Sequence, residues 1–434
     1  MLSRRYRLVA VTVLLTIAVL LGNYALTLVQ NNNIETDIQE TTPANNTIPP
    51  SPYDRTIDNN DAVRLRILLG RESNEPGVAS LKITASYHIV VYDSNGNVKA
   101  ERHKENDPIS IQWYRMVANM MFGFIRSGAL TWYDIGYNER KWVDTGSYGI
   151  NPKAYIALGN GSGTPSLYDY KLFSEVTKDI PSMSVQDDAS NQQYIVTYTK
   201  TFTVQQDFTL TEVGLLLYLD TNAGGEKTYV YLLVAHDTLN TTISLVSGDS
   251  VSVTYQLTIP YNTNGPFTRW FYNALINYWL GYKGTTGSAL TLKAESGNTG
   301  GIDTAEDDHY NVWHDDVNGE YLYIEIGSGS STASPLFETY TLANMLQRKP
   351  TTDSQAIAEV NETSSFKLHY ILSFSFTSSA SISEIGVSYY TDRREGDEDI
   401  ADYYLWLYWS LPSAIDVGAN DGLRVEVTIE IPYT

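Results

Sequence analysis

The densest set of residues with chemical potential is Asp307-Asp308-His309-Tyr310-Asn311-Val312-Trp313-His314-Asp315-Asp316. Imidazole and carboxylate groups bind metals, but His309 and His314 stand five residues apart, a spacing that aligns them on neither a helix nor a strand. The expectation is a solvated loop, with a metal or ligand site as the alternative. Asp93-Ser94-Asn95-Gly96-Asn97 could supply the oxygens of a calcium loop; the bland and expected reading is a hairpin turn, in which Asn-Gly provides positive φ. Glu212 and Glu384 could be imagined as catalytic carboxylates. Each is followed by Val-Gly or Ile-Gly on a strand of its own repeat, so each is expected to accept hydrogen bonds from backbone or hydroxyl groups. Gly159-Asn160-Gly161-Ser162-Gly163 is followed by no Gly-Lys-Ser/Thr and reads as a tight turn, not a phosphate cradle. No catalytic, cofactor-binding or metal-ligating residue is assigned, no cofactor is expected, and the chain is expected not to be an enzyme.

The elements that would position these residues occur twice. Ile156–Leu172 returns as Ile324–Leu342, with glycine pairs 159/161 and 327/329, Thr164-Pro165 and Ser334-Pro335, and a closing leucine in each. Thr211-Glu212-Val213-Gly214 returns as Ser383-Glu384-Ile385-Gly386, Tyr231-Leu232 as Tyr404-Leu405, and Val251–Tyr261 as Leu423–Tyr433. Upstream, Trp113–Phe124 matches Phe271–Tyr282, with Asn119 on Asn277 and Gly123 on Gly281. Landmarks in one order over this distance indicate a duplicated domain. Trp113, Met116, Val117, Met120, Met121 and Phe124 recur at helical spacing, as do Trp270, Phe271, Ala274, Leu275, Tyr278 and Trp279, predicting one short core helix per repeat. Alternating segments predict strands at 63–69, 81–92, 194–204, 210–220, 229–235, 251–261, 366–377, 382–390, 403–408 and 423–433. The fold class expected is all-β: two tandem antiparallel β-sandwiches, Ig-like or jelly-roll-like, at 61–261 and 262–434.

With 50 acidic against 29 basic residues the net charge is −21, which disfavours nucleic-acid binding by a basic face. The absence of cysteine removes disulfides and thiolate chemistry. Arg4, Arg5 and Arg7 precede an uncharged run from Leu8 to Val29, long enough to cross a hydrocarbon core with the arginines inside. Residues 1–30 are therefore expected to be a transmembrane anchor, with a cleaved secretory signal as the competing reading. Asn31–Asn60, rich in Asn, Thr and Pro, is expected to be an extended stalk carrying the sequon Asn45-Asn46-Thr47. Further sequons begin at Asn160, Asn240 and Asn361.

The order of these landmarks resembles a domain common in phage tail and virion structural proteins: the Asp93–Gly96 turn, the helix at Trp113–Phe124, Ile156–Leu172 with Asp169 in place, Glu212-Val213-Gly214-Leu215-Leu216-Leu217, and Val251–Tyr261. Repeat 2 departs from it at Thr339, Val387 and Ser388. The resemblance implies a building block of a virion or appendage, and the tyrosine-rich, cysteine-free composition is similar to surface proteins of thermophilic archaea and their viruses. The functional expectation is a membrane-anchored, outward-facing structural protein of a virion, surface layer or filament, which associates with itself or with other surface proteins. The alternative is an adhesin that takes glycan or protein on the aromatic loops Trp132–Trp142 and Trp313–Tyr323. The strand at Val63–Leu69 has no counterpart in repeat 2 and is expected either to extend repeat 1 or to pair with the second sandwich of a neighbouring subunit.

Overall fold

A computed structural model describes residues 56–57, 62–68, 83–122, 130–140, 152–223, 226–300, 322–351, 355–361, 365–395 and 398–432. All belong to one compact unit, Pro52–Thr434. The anchor segment Leu8–Val29, the sequon at Asn45 and the cluster Asp307–Asp316 lie outside the described residues. Among those described, no helix is long and apolar enough to cross a membrane.

Two strands precede the repeats, β1 (Thr56–Ile57) and β2 (Ala62–Leu68). Repeat 1 continues as β3 (Thr84–Tyr92), β4 (Val98–Asp107), α1 (Ile111–Met121), β5 (Trp132–Tyr133), β6 (Glu139–Arg140), β7 (Lys153–Gly159), β8 (Glu175–Asp179), β9 (Ser182–Asp188), β10 (Gln193–Thr203), β11 (Phe208–Ala223), β12 (Glu226–Leu245) and β13 (Ser250–Pro260). Repeat 2 contains α2 (Arg269–Ala274), running into a π-helical turn (Leu275–Trp279), α3 (Tyr282–Thr286), β14 (Leu292–Lys293), β15 (Thr299–Gly300), β16 (Leu322–Gly327), β17 (Met345–Pro350), β18 (Gln355–Asn361), β19 (Ser365–Ser375), β20 (Ala380–Glu395), β21 (Glu398–Val417) and β22 (Gly422–Pro432). The chain is mostly β-sheet, as its alternating segments predict.

Among the described residues each repeat supplies a four-stranded sheet, β12-β11-β7-β8 and β17-β16-β20-β21, and the core of a five-stranded one. The five-stranded sheets are β4-β3-β13-β10-β9 and β1-β2-β22-β19-β18. Period-two burial makes them: along β13, Val251, Val253, Tyr255, Leu257 and Ile259 turn inward while the residues between stay partly exposed. β4 carries Lys99, Glu101, Arg102 and Lys104 and escapes a hydrophobicity reading, because it is an edge strand whose side chains largely meet water.

β2 does not extend repeat 1. It lies parallel to β22 of repeat 2, with Val63 opposite Leu423, Leu65 opposite Val425 and Ile67 opposite Val427. It thus takes the place that β3 takes beside β13, and β1, paired with β2 by Thr56↔Arg64, takes the place of β4. The end of the expected stalk is therefore strand at Thr56–Ile57. Among the described residues the closing strand of repeat 1, β13, pairs only within its own repeat, between β3 and β10.

The helices form in homologous ways. Ser110 caps α1 by accepting from Gln112 N, and Thr268 caps α2 by accepting from Phe271 N. Asn119 clips the backbone of Leu130 in both directions (2.7 and 2.9 Å), and Asn277 does the same to Leu290 (2.8 and 2.8 Å). Both apolar stripes are buried, as expected for core helices, Phe124 alone lying outside the described residues. The two cores are not separate, however. Phe122 stacks on Phe271 at 5.7 Å, Trp113 Nε1 donates to Trp279 O at 2.7 Å, Tyr198 donates to Leu280 O at 3.1 Å, and Tyr370 donates to Phe122 O. One continuous apolar core runs through both repeats. A helix between two sheets has a second apolar side to cover, and here the other helix covers it.

Candidate functional site

The duplicated motif lies on the outer face of each four-stranded sheet. Along β11, Val213, Leu215 and Leu217 face the main core, so Glu212, Gly214, Leu216 and Tyr218 face outward. The segment from Gly159 to Leu172 folds over this face. Glu212 fastens it: Oε1 accepts from Gly161 N (2.7 Å) and Ser174 N (2.7 Å), and Oε2 accepts from Phe173 N (2.8 Å). The glycines are needed for space. A Cβ on Gly161 would lie 2.5 Å from Glu212 Oε1 and 2.5 Å from Phe173 Cβ. Further along, Leu172 rests on Gly214, where a Cβ would come within 2.5 Å of Leu172 Cδ1. Repeat 2 does the same with Leu342 on Gly386 (2.6 Å) and with Glu384, which accepts from Ala343 N (3.0 Å) and Asn344 N (3.4 Å).

The last part of the face is a trio of tyrosines. Tyr155, Tyr218 and Tyr231 have ring centroids 5.1–6.0 Å apart with Lys178 over Tyr231; Tyr323, Tyr390 and Tyr403 repeat the arrangement at 4.9–6.1 Å with Arg348 over Tyr403. This fixes the alignment of the repeats: Tyr231 corresponds to Tyr403, and Leu233 to Leu405. The match of Tyr231 with Tyr404 suggested by the linear sequence is one residue off, and one residue on a strand exchanges the two faces.

Where the repeats differ, their polarity is exchanged. In repeat 1 the buried His236 lies between two carboxylates, Nε2 donating to Glu212 Oε2 (3.0 Å) and Nδ1 to Asp169 Oδ2 (3.0 Å), under the edge-on ring of Phe173. In repeat 2 Tyr408 stands in its place and donates to Glu384 Oε1 (2.8 Å), and Thr339, replacing Asp169, bonds Ser331 (2.9 Å). The middle of the face reverses the pattern. Repeat 1 has Ile135, Ala157 and Leu216 there, whereas repeat 2 has Glu295 and Glu325, both bonded by Arg348, and Ser388, which donates to Glu295. Burial and the neighbouring Glu325 push Glu295 up to about 8.

Both nitrogens of His236 are engaged by carboxylates, so the imidazole is held as a cation. Burial opposes that charge, but the hydrogen bonds it donates to Asp169 and Glu212 outweigh it and raise His236 to about 9. On Glu212, burial is outweighed by His236 and the three backbone N–H groups, and its carboxyl is lowered. A raised histidine contributes stability that is complete below its unfolded value near 6.5 and lost as pH rises through about 9. The lowered Glu212 contributes stability present above its unfolded value and lost in acid. Amide hydrogen exchange at Gly161 and Ser174 should therefore accelerate, beyond the intrinsic base-catalysed trend, between pH 7 and 9.5. The amide of Ala343 should not, because Tyr408 is pushed up to about 12. Parallel behaviour of the two loops would contradict the assignment.

The carboxylate role expected of Glu212 and Glu384 is what the hydrogen bonds show. Asp93 Oδ1 accepts from Asn95 N (2.8 Å) and Asn97 N (2.9 Å) and Gly96 has φ +83°, the hairpin-turn arrangement. Among the described residues no group of three His, Asp or Glu could hold a metal ion. Trp132 is fully buried and Tyr323 nearly so, which removes both from the expected aromatic contact surface. Tyr137 remains there, 62% exposed at φ +62°, stacked on Tyr133 at 4.9 Å and beside Tyr170 at 4.9 Å. Its loop is held by Asp134, which accepts from Gly136 N, Asn138 N and Arg140. His236 escaped sequence reasoning because it follows the apolar run of β12; its signal appears once the two strands are paired, when it falls opposite Gly214 and diagonally across from Glu212. No family model matches this chain, and no curated protein matches it.

Proposed function

We propose that this chain is a structural protein, not an enzyme, anchored in a membrane by Leu8–Val29 and facing outward in a virion, a surface layer or a filament. Its two repeats are read as tandem antiparallel β-sandwiches of Ig-like or jelly-roll-like type. The observation that carries the reading is the use made of the duplicated motif. Glu212, Gly161, Leu172 and Gly214, with their counterparts, satisfy one another inside the fold, so the residues kept through the duplication maintain architecture. The exposed sequon residues Asn160 and Asn240 are compatible with an outward location. Electron micrographs of the full chain in vesicles and of residues 52–434 at high concentration test it. Regular arrays or filaments are expected, forming more readily as salt screens the charge of −21; particles that stay dispersed under all conditions would contradict it.

A second reading, a glycan-binding or receptor-binding module, is favoured by the exposed Tyr137, stacked on the half-buried Tyr133 and tilted against the half-buried Tyr170, since sugars pack on rigid aromatic faces. It calls for glycan-array binding that Tyr137→Ala abolishes.

A further inference from the structure

We propose that β1 and β2 of one chain complete the β22 edge of repeat 2 in a second copy, so that strand donation joins the subunits head to tail. This rests on the reading of the chain as an assembly subunit.

Repeat 1 covers the edge of β13 with its own hairpin, β3-β4, antiparallel and contiguous with the helix that follows. Repeat 2 has no such hairpin, because only residues 261–268 separate the end of β13 from the start of α2. Its closing strand β22 is left with one row of N–H and C=O groups that nothing in residues 262–434 pairs among the described residues. An edge of that length is a template for strand addition. The strand that fills it comes from the far end of the chain and runs parallel to β22, from Ala62↔Gly422 to Leu68↔Thr428. A locally connected hairpin strand would run antiparallel, as β3 does.

The register suits the donor well. Val63, Leu65 and Ile67 are placed opposite Leu423, Val425 and Val427, whose side chains are buried, and Arg66 opposite Glu426. None of these hydrogen bonds depends on which chain supplies the donor. Donor and acceptor sit at opposite ends of the sequence, and residues 69–83, the link between Leu68 and β3, reach about 50 Å at full extension. A dispersed chain fills its own edge. Crowded chains exchange the same strand at almost no cost in contacts, since domain swapping replaces like with like. Because donor and acceptor are different surfaces, the contact is heterologous and propagates, the geometry of a filament or a linked layer. The covalent route from the membrane anchor then passes through the neighbouring subunit.

The chain contains no cysteine, which makes the test clean. Arg64 and Arg424 are direct partners in the parallel register, and neighbouring strands hold Cα atoms within the range a disulfide bridges. The full-length Arg64→Cys/Arg424→Cys variant, dispersed in detergent and oxidised, should give a monomer with an internal disulfide. Oxidised after assembly in vesicles, it should give a ladder of covalent multimers. Mixed assemblies of Arg64→Cys chains with Arg424→Cys chains should give covalent dimers absent from either alone. Assemblies that contain only internal disulfides would overturn strand donation and leave the structural reading standing. Failure to assemble at all would overturn both. Absence of any disulfide in either state would show that β2 does not occupy this edge, which also overturns the proposal.

Discussion

Glu212→Leu is expected to destabilise the fold by about 3–5 kcal/mol, the cost of removing one partner from a buried, hydrogen-bonded charge pair. The variant leaves Gly161 N, Phe173 N and Ser174 N without their acceptor and leaves His236 with Asp169 alone. The lost bonds hold down a segment whose apolar anchor is Leu172, so the outer face of β11 should open while the main core survives. Glu384→Leu should cost less, about 1–3 kcal/mol, because Glu384 accepts from a neutral tyrosine and two amides. Denaturant titration of both variants measures the difference. Equal losses would mean that the imidazolium contributes nothing beyond what the phenol does.

That contrast shows how far the sequence could be read. Glu212 and Glu384 were legible as acceptors because each is a carboxylate in an apolar strand, and the only inexpensive way to bury one is to surround it with N–H groups. The helices were legible from their stripes, and the hairpin at Asp93 from Asn-Gly. Long-range partnership was not legible. His236 meets Glu212 only through the register of β11 against β12, which is shifted by bulges between Leu210 and Glu212 and between Leu215 and Leu216. Irregularities of that kind leave no local trace. Tyr231 fell one residue out against its counterpart for a local reason: Tyr403 and Tyr404 are consecutive, and the Tyr-Leu pair recurs at Tyr404-Leu405. β2 could be recognised as a strand from Val63, Leu65 and Ile67, yet its neighbour β22 lies at the other end of the chain, and no periodicity encodes a parallel partner. The separation into two cores was inferred from the repeat, and a duplicated sequence does predict two similar units. It does not say whether their helices face solvent or each other.

The continuous core leads to the other large effect. Phe271→Ala should cost about 3–5 kcal/mol, the range for emptying a buried phenylalanine site. Phe271 is fully buried, stacks on Phe122 of repeat 1, and has Phe267 at 4.6 Å and Trp406 at 6.2 Å in repeat 2. Collapse around it is restrained on both sides. α2 is capped by Thr268, whose hydroxyl donates to Leu405 O (2.6 Å), and the end of α1 is tied by Tyr370, which donates to Phe122 O. Arg269 beside it ties the repeats again, bonding Asp187 (2.6 Å) of β9 and Glu338 (2.6 Å) of repeat 2. A cavity here therefore removes contacts that both repeats use. Unfolding should remain one transition that moves to lower temperature as a whole, and exchange protection should fall together in β10 and β13 of repeat 1 and in β19 and β22 of repeat 2. If repeat 2 melted early while repeat 1 kept its wild-type protection, the shared core would be only a contact between independent domains. Cooperativity of this kind also bears on assembly. A donated β2 strand that steadies β22 would, through Phe271 and Phe122, steady the repeat that carries the next donor.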